Sequence, residues 1–237
     1  MFDSAQLQGA DLKQVDFRGT WLRRANLDNA QMTGAQFGEL PTLKQDSAVR
    51  LCIYSPDGKT IAMKLVNRKV HVCSTSNWEI LFTSEGHSDS VNSTVYSPNS
   101  NQIASGCIDY TIRIWDVWTG MCIRTLNGHD GSFMSRMGDR GSVQGIVYSP
   151  QGDLIASGGD DKRVKMWDVE TGECRHIWIG HTEEVLGVIY SPSGTQIASR
   201  SFDSTVRIWD VEKGICLHIM EGHTTLVSGI AYSPRGD

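Results

Sequence analysis

Residues 157–168, SGGDDKRVKMWD, combine a serine with aspartates, and His129 precedes them in the chain. Serine, histidine and aspartate form the catalytic triad of nucleophilic hydrolases, in which the histidine takes the serine proton and the carboxylate orients the histidine. The same residue types also form hydrogen-bond networks that satisfy buried polar groups in a fold. How often the set recurs, and which elements hold it, decides between the two interpretations.

Short motifs recur along most of the chain. Tyr-Ser-Pro begins at Tyr54, Tyr96, Tyr148, Tyr190 and Tyr232, at intervals of 42, 52, 42 and 42 residues. Gly-His and Trp-Asp recur between these positions. Within each unit, apolar or alternating runs are separated by turn clusters such as SPQGD and ETGE, which predicts four short strands per unit. A polar set that recurs with such a period indicates a repeat fold, because a catalytic site is needed only once.

This layout resembles the WD-repeat β-propeller, in which each unit forms about one four-stranded blade around a central channel. The resemblance covers residues 46–237. It implies an all-β fold with an open, partial propeller of four blades and the first strand of a fifth. A longer native product, ring completion by a second copy and a degenerate fragment are the alternatives for so short an arc. The blades are expected at about 46–84, 85–127, 128–179 and 180–220, with a partial unit at 221–237.

The resemblance implies a structural role for the recurring polar residues. In the family, a histidine before the first strand, a serine on the second strand, an aspartate in the next turn and the tryptophan of Trp-Asp form a hydrogen-bonded bracket. For His129 the assignment is open, since ten extra residues precede Tyr148 and Asp139 stands at the regular distance. The sequence thus predicts fold stabilisation and no enzyme activity. The matching sets are His87, Ser105, Asp109 and Trp115, then His129, Ser157, Asp161 and Trp167, then His181, Ser199, Asp203 and Trp209.

The first unit departs from the bracket pattern. Gln45, Met63, Asn67 and Cys73 stand where the histidine, serine, aspartate and tryptophan should be. The apolar runs LCIYS, TIAMKL and KVHVCS remain, so strands are still expected. We expect this blade to be stabilised by packing on the second blade.

The first 40 residues have a period of five. A small or slender residue precedes each large apolar residue by two positions, and this period fits neither a helix nor a simple strand. It resembles the pentapeptide-repeat family, whose chain winds into a square-sectioned β-solenoid with both stripes inside. We therefore expect a solenoid segment at 1–40 and a propeller region at 41–237. The large residues are Leu7, Leu12, Phe17, Leu22, Leu27, Met32 and Phe37.

Composition limits the classes of partner and the cellular location that are expected. The chain carries 22 basic and 27 acidic residues, a net charge of −5, without a basic tract, so neither nucleic acid nor a membrane surface is expected as a partner. No signal peptide and no run of about 18 apolar residues occurs, which predicts a cytoplasmic protein, with the nucleus as the alternative. The six cysteines form no CxxC pair, so we expect reduced packing thiols, no metal site and no cofactor.

The resemblance also implies where other proteins or peptides bind. In the family, contacts come from residues at the start of the first strand and from the residue before the turn aspartate. Ile108, Leu186 and Phe202 would be the apolar anchors of such a surface. The alternative is that these side chains only pack within their turns. The insertion at 130–140 is either a partner-binding loop or a tolerated surface loop. The matching residues are Ser90, Asn92, Ile108, Ser142, Gln144, Asp160, Glu184, Leu186 and Phe202.

These observations predict a non-catalytic scaffold or recognition module for proteins and peptides. Pentapeptide repeats followed by WD repeats resemble the C-terminal sensor region of NACHT-type signalling proteins, although no GxxxxGKS/T phosphate loop occurs in the chain. Self-association through the open propeller edges is expected as a further property. The competing hypotheses are a fragment without independent function and a propeller enzyme.

Overall fold

The computed structural model describes residues 5–17, 26–36, 47–129 and 141–236. The chain divides into two compact units, Met1–Asp46 and Ser47–Asp237. Several residues singled out above lie outside the described ranges: Leu22, Phe37, Gln45, Asp139 and the insertion at 130–140.

The first unit pairs segments that are twenty residues apart. Parallel bridges join Gln6 to Asn26, Asp11 to Gln31 and Asp16 to Gln36. Twenty residues are four pentapeptides, so each coil has four sides and the chain returns one layer above its start. The residue two positions after a large apolar residue has a positive φ, 70° at Gly9 and 58° at Asn29. Glycine and asparagine tolerate this left-handed conformation best, which explains their place in the repeat.

The second unit consists of four four-stranded antiparallel sheets, in each of which the strands pair in chain order. We call the sheets blades 1 to 4. Blade 1 contains β1 (Val49–Tyr54), β2 (Thr60–Leu65), β3 (Val70–Ser74) and β4 (Ile80–Thr83). Blade 2 contains β5 (Val91–Tyr96), β6 (Gln102–Cys107), β7 (Thr111–Asp116) and β8 (Cys122–Asn127). Blade 3 contains β9 (Val143–Tyr148), β10 (Leu154–Gly159), β11 (Arg163–Asp168) and β12 (Cys174–Ile179). Blade 4 contains β13 (Val185–Tyr190), β14 (Gln196–Ser201), β15 (Val206–Asp210) and β16 (Cys216–Met220).

The Tyr-Ser-Pro motif ends the first strand of a blade and begins its first turn. Tyr148 is buried and its hydroxyl donates to Gln102 Oε1 of blade 2 at 3.3 Å. Ser149 Oγ accepts the backbone N–H groups of Gly152 and Leu154, both at 3.1 Å, and so closes the turn. The contact of the tyrosine with the preceding blade and the serine that caps the turn explain the motif in blades 2 and 3, whereas Tyr54 of blade 1 is 61% exposed.

Consecutive blades pack face to face through large apolar side chains. Trp167 of blade 3 lies in one cluster with Ile112, Ile114 and Leu126 of blade 2. Trp209 of blade 4 lies in the next cluster with Trp178 of blade 3, at a ring distance of 6.3 Å. The tryptophan of Trp-Asp is therefore the main contact of each blade with the blade before it. The four sheets are not closed into a ring, as an open partial propeller requires.

Blade 1 packs on blade 2, as the sequence indicates. Ala62, Val70 and Val72 share a buried cluster with Trp115 and Val117. Met63 and Cys73, which replace the bracket serine and tryptophan, are 3% and 0% exposed. The blade thus keeps its apolar packing without the polar network.

The innermost strands of blades 3 and 4 approach each other at glycine. A Cβ atom added to Gly145 would lie 2.7 Å from the Cα of Gly187, a distance that real Cβ atoms do not reach. Only a residue without a side chain allows this approach of two backbones. The position is occupied by Ser93 in blade 2 and by Gly229 in the segment after blade 4.

The segment that follows blade 4 continues the repeat only in part. Residues 221–236 form no assigned strand, although the sequence predicts a first strand there. Val227 is 6% exposed and packs on Ala198, Val206 and Ile208. Arg200 Nη1 donates to the carbonyl of Val227 at 3.0 Å. The segment therefore follows the path of a first strand but lacks a neighbouring strand of its own within the described residues.

Helices are absent from the described ranges, so no described segment is a helix long and apolar enough to cross a membrane. All six cysteines are free, and Cys73 and Cys107 are buried.

Candidate functional site

All three predicted brackets are assembled, one each in blades 2, 3 and 4. In blade 4, Trp209 Nε1 lies 2.7 Å from Ser199 Oγ, His181 Nε2 lies 2.7 Å from the same oxygen, and His181 Nδ1 lies 2.8 Å from Asp203 Oδ2. Blade 2 repeats these contacts at 2.8, 2.7 and 3.0 Å between Trp115, Ser105, His87 and Asp109. Blade 3 repeats them at 2.8, 2.6 and 2.9 Å between Trp167, Ser157, His129 and Asp161.

His129 reaches its bracket despite the longer loop that follows it. Its ring bonds both Ser157 and Asp161, and the residue is 1% exposed. The alternative candidate, Asp139, lies outside the described residues. The extra residues after His129 therefore leave the bracket of blade 3 intact.

The tryptophan indole and the aspartate carboxylate, at the two ends of each bracket, set the direction of its hydrogen bonds. An indole N–H can only donate and an ionised carboxylate can only accept. Trp209 therefore donates to Ser199, the serine hydroxyl donates to Nε2 of His181, and Nδ1–H donates to Asp203. The histidine must be the neutral tautomer with its proton on Nδ1, and each of these three donors of the bracket has an acceptor.

Burial and hydrogen bonding favour these protonation states. Burial lowers the pKa of His181 below its ordinary value of 6.5, although Asp203 opposes the shift. Burial acts to raise the pKa of Asp109, but hydrogen bonds from Thr111, His87 and Ser88 outweigh it and hold the pKa at about 2. A neutral histidine beside an ionised carboxylate is thus the state of each bracket near neutral pH.

The bracket serines are not placed to act as nucleophiles. Ser105, Ser157 and Ser199 are each 0% exposed, so a substrate carbonyl cannot approach their hydroxyls. Each hydroxyl also accepts the indole N–H of the next strand, which occupies one of the two lone pairs of the serine oxygen. The geometry of these three sets is that of fold stabilisation.

Blade 3 supports its aspartate in a different way from blades 2 and 4. Thr205 Oγ1 donates to Asp203 Oδ1 at 2.7 Å, and Thr111 does the same for Asp109 at 2.6 Å. Arg163 replaces this threonine in blade 3. Lys165 Nζ, on a side chain only 2% exposed, takes over the contact at 2.8 Å from Asp161 Oδ2 and also donates to the Gly128 carbonyl.

A cysteine in blade 2 lies close enough to its bracket to suggest a metal site. The ligand atoms of His87, Cys107 and Asp109 lie within 4.8 Å of one another. Burial raises the pKa of the Cys107 thiol to about 12. Cys107 Sγ donates to the Asp89 carbonyl at 3.1 Å, as Ser201 Oγ does to Glu183 at the same distance in blade 4. Cys107 therefore makes the contact that Ser201 makes at the equivalent position of blade 4.

The predicted partner-binding residues come together at one end of each blade. Backbone hydrogen bonds of 3.0 Å join Ile108 N to Ser90 O, Asp160 N to Ser142 O and Phe202 N to Glu184 O. Each bond fastens the turn after the second strand to the loop before the first strand. In blades 2, 3 and 4 the turn after the second strand and the loop before the first strand therefore lie at the same end, which we call the loop face.

The exposed fractions of these residues differ. Phe202 is 47% exposed, while Ile108, Leu186, Ser90 and Glu184 are partly buried. Ser142 is only 4% exposed, so its side chain adds little to the loop face.

Asn92, Gln144 and Asp160 form a hydrogen-bonded row across blades 2 and 3. Asn92 Nδ2 donates to the Val143 carbonyl at 3.1 Å and to Gln144 Oε1 at 3.4 Å. Gln144 Nε2 donates to Asp160 Oδ1 at 2.7 Å. The polar part of the predicted surface is therefore a connected network that holds its side chains in place.

Sequence reasoning missed two cations beside the loop face. In each blade one residue of the second strand pairs with the third residue of the first strand. This residue is Lys64 in blade 1 and Arg200 in blade 4, whereas blades 2 and 3 have Gly106 and Gly158. Lys64 Nζ donates to the Asn92 carbonyl at 2.6 Å. Burial, and then the charge of Arg50, lower the pKa of Lys64. Aligning the second strands of the four units would have shown this exchange of glycine for a cation.

Four-stranded antiparallel meanders that stack through a recurring tryptophan, three of them with a Trp-Ser-His-Asp bracket, define a repeat protein of the β-propeller class. Residues 78–116, 120–168 and 172–210, together more than half of the chain, match the family described as WD domain, G-beta repeat. The chain belongs to the WD-repeat family. Each match starts near the fourth strand of one blade and ends with the third strand of the next. Residues 2–38 match pentapeptide repeats.

Several curated proteins are similar to part of the chain. A probable coatomer subunit beta' of Schizosaccharomyces pombe is 36% identical over 112 residues, which are 46% of this chain and 13% of that protein. The nuclear distribution protein PAC1 of Coccidioides posadasii is 35% identical over 111 residues, 44% of this chain and 21% of that protein. The Polycomb protein esc of Drosophila virilis is 29% identical over 136 residues, 55% of this chain and 30% of that protein. The chain thus spans less than a third of the length of these relatives.

Proposed function

We propose that the WD-repeat unit is a non-catalytic scaffold that binds other proteins or peptides through its loop face. The observation that carries this proposal is the set of three backbone bonds that bring the predicted contact residues of blades 2 to 4 to one end of the blades. One related WD-repeat chain is named as a subunit of coatomer, which supports a role in a protein assembly. Bound partners, rather than a reaction, are therefore the expected readout.

The chemistry of the loop face favours a partner with both an apolar and a polar contact. Phe202 is exposed for burial under a partner, and Leu186 is the second residue of β13 in the same blade. The row of Asn92, Gln144 and Asp160 offers ordered donors and acceptors that need no rearrangement on binding. Apolar anchors surrounded by ordered polar groups are typical of binding hot spots.

Selection from a displayed peptide library with the whole chain as bait tests the proposal. Enriched peptides should bind Phe202→Ala and Leu186→Ser at least about tenfold more weakly, because each substitution removes roughly 1.4 kcal/mol or more of buried apolar contact. The thermal midpoint of both variants should stay unchanged.

Ile215→Ala is the matched control for this selection. Ile215 is 51% exposed in the turn between β15 and β16, at the end of blade 4 opposite the loop face, and its loss should leave peptide binding unchanged. Peptides that bind all three variants equally, or that depend on Ile215, would contradict a loop-face site.

We propose further that the chain is the sensor part of a cytoplasmic signalling protein. The order of a pentapeptide-repeat segment and a WD-repeat region supports this proposal, as does the net charge of −5, which disfavours nucleic acid and anionic membranes as partners. The segment bounds of 1–40 and 41–237 and the self-association of the open edges stay predictions. Fractionation of cells that express the tagged chain would test the location, and a nuclear or membrane-bound pool would contradict it.

A further inference from the structure

Blade 1 has the same backbone bond at its loop end as blades 2 to 4, although it lacks the bracket. Val66 N donates to the Ala48 carbonyl at 3.0 Å, the distance of the equivalent bond in the other blades. The loop face therefore continues over blade 1. Arg50 of this blade stands 42 residues before Asn92, which is one of the predicted contact residues.

Two cations stand side by side on this part of the loop face. Arg50 is the extra residue of a bulge in β1, because the register of β1 on β2 shifts between Val49 and Leu51. Lys64 of β2 pairs with Leu51. Burial lowers the pKa of Lys64, and the charge of Arg50 lowers it further. The two charges are therefore close enough to repel each other.

The pair of cations is specific to blade 1. Blade 4 has one cation at these positions, Arg200, and its Nη1 donates to the carbonyl of Val227. The repeat fold thus does not require two positive charges there. The residues at the two positions are neutral in blades 2 and 3, namely Asn92 and Gly106 in blade 2 and Gln144 and Gly158 in blade 3.

Backbone carbonyls of blade 2 hold two cations of blade 1 in place. Lys64 Nζ donates to the Asn92 carbonyl at 2.6 Å, and Arg68 Nη1, from the turn after β2, donates to the Ser88 carbonyl at 2.8 Å. Among the described residues, no ion pair includes Arg50, Lys64 or Arg68. A carbonyl fixes a cation without cancelling its charge. We call these three residues the cation patch.

We propose that the cation patch binds a doubly negative group of a partner peptide, either one phosphorylated side chain or two adjacent carboxylates. A ligand with two negative charges is favoured because it attracts both Arg50 and Lys64 and so offsets their repulsion. The guanidinium of Arg50 can donate two parallel hydrogen bonds to a carboxylate or a phosphate.

The charge of the rest of the chain favours a peptide over an extended polyanion. The net charge is −5, and screening limits attraction between exposed charges to roughly 10 Å. Only a ligand whose negative charge is confined to the patch gains from it. A nucleic acid or an anionic membrane would also meet Asp160 and Glu184, which lie on the loop face of blades 3 and 4.

The polar row of the loop face begins beside the patch. Asn92 accepts Lys64 through its carbonyl and donates to Gln144 through its side chain. A peptide that covers Phe202 in blade 4 can follow this row and present its negative group to blade 1. The inference rests on the proposed function in this respect, because the patch and Phe202 belong to the same loop face.

Three fluorescent peptide mixtures with the same random flanks test the inference on the whole chain. Their central residues are phosphoserine-alanine, aspartate-aspartate and serine-alanine. The immobilised chain should retain at least one doubly negative mixture about tenfold more than the serine-alanine mixture, because hydrogen bonds between charged groups are stronger than neutral ones. The mixture that is retained more identifies the source of the negative charge.

Arg50→Gln and Lys64→Gln should each remove most of this preference. Arg50 is exposed and forms no hydrogen bond within the described residues, so its variant should keep the thermal midpoint and remains informative if Lys64→Gln unfolds. Lys213→Gln is the matched control. It removes the same charge from a side chain that is 69% exposed in the turn between β15 and β16, opposite the loop face, and should keep the preference.

The results separate this inference from the proposed function. Equal retention of the three mixtures, lost in Phe202→Ala, would overturn the inference and leave loop-face binding intact. Retention of no mixture would overturn both. A preference that survives both Arg50→Gln and Lys64→Gln, or that is lost in Lys213→Gln, would place the attraction outside the patch and overturn the inference. A preference that survives Phe202→Ala but not Arg50→Gln would support the patch and contradict the role of Phe202.

Discussion

Each bracket hydroxyl, ring and carboxylate has a partner, and the cost of losing one partner is high because the others stay buried. Asp203 accepts from His181, from the backbone N–H of Thr182 at 3.0 Å and from that of Thr205 at 2.9 Å. The carboxylate thereby fastens the loop before the first strand to the turn after the second. At this scale a single side chain determines whether the end of a blade is ordered.

Asp203→Ala is expected to destabilise the fold by about 3 kcal/mol, because it leaves several buried donors without an acceptor at roughly 1–3 kcal/mol each. The thermal midpoint should fall by roughly 6–12 °C. Glu212→Ala, at an exposed turn residue of the same blade, is the matched control and should leave the midpoint unchanged. A normal midpoint in the Asp203 variant would contradict the role of the bracket.

Lys165 is expected to matter more when residue 163 is arginine than when it is threonine, although blades 2 and 4 also carry a cation, Arg113 and Arg207, at the position of Lys165. Lys165→Met should cost about 3 kcal/mol or more, since it leaves the buried charge of Asp161 without its cation. In an Arg163→Thr background the loss of unfolding free energy should be smaller. The new threonine hydroxyl can donate to Asp161 as Thr111 and Thr205 donate to the aspartates of blades 2 and 4. Urea denaturation of the four chains of this double-mutant cycle measures the difference. Equal costs in the two backgrounds would show that the two side chains are not coupled.

At the scale of the elements, the packing of a first strand against its neighbour decides which residues it tolerates. Gly145 and Gly229 occupy the same position in their strands. Gly145 faces the backbone of Gly187, whereas a Cβ atom on Gly229 would have no atom within 4 Å. One sequence motif therefore has two different packing environments.

Gly145→Ala is expected to destabilise the chain by about 2 kcal/mol, because the added methyl group forces apart two packed strands. Gly229→Ala should be neutral within about 0.5 kcal/mol, since its methyl group enters open space. Chemical denaturation of both variants checks the pair. A similar loss at both sites would indicate an effect of glycine replacement on the unfolded chain rather than of strand packing.

At the scale of the whole unit, the three brackets act together on the pH dependence of stability. Burial lowers the pKa of His87, His129 and His181 below 6.5 in the folded chain. Above pH 6.5 these rings are neutral in both the folded and the unfolded chain, so they make no difference to the free energy of unfolding. As the pH falls below 6.5, the unfolded chain takes up protons that the folded chain does not bind.

The free energy of unfolding should therefore decrease as the pH falls through 6.5, because all three histidines contribute in the same direction. A further loss is expected between about pH 4 and pH 2, where Asp109 becomes protonated in the unfolded chain first. Urea denaturation at a series of pH values between 8 and 2 measures both losses. A free energy that stays constant from pH 8 to pH 5 would contradict neutral, buried bracket histidines.

Much of the fold was predictable from the sequence because its signals are local and repeated. Tyr-Ser-Pro, Gly-His and Trp-Asp each report a turn or a strand end within one blade, so their period sufficed to predict four blades and the bracket sets. The period of five likewise predicted that the large apolar residues of the first unit lie inside, which holds for Phe17 at 4% exposure but is wrong for Met32, which is 36% exposed. The role of Lys165 was not predictable, because it depends on an exchange at residue 163 and on contacts with residues 128 and 161.

The sequence alone determined the WD-repeat class, the four-stranded units and the members of each bracket, since these follow from local spacing. Only the tertiary structure decided that His129 still reaches Ser157 and that Lys64 and Arg200 lie beside the loop face. The physical reason is that these properties depend on which backbone and side chains of a neighbouring blade lie within bonding distance, and a repeat period carries no information about a contact that occurs once.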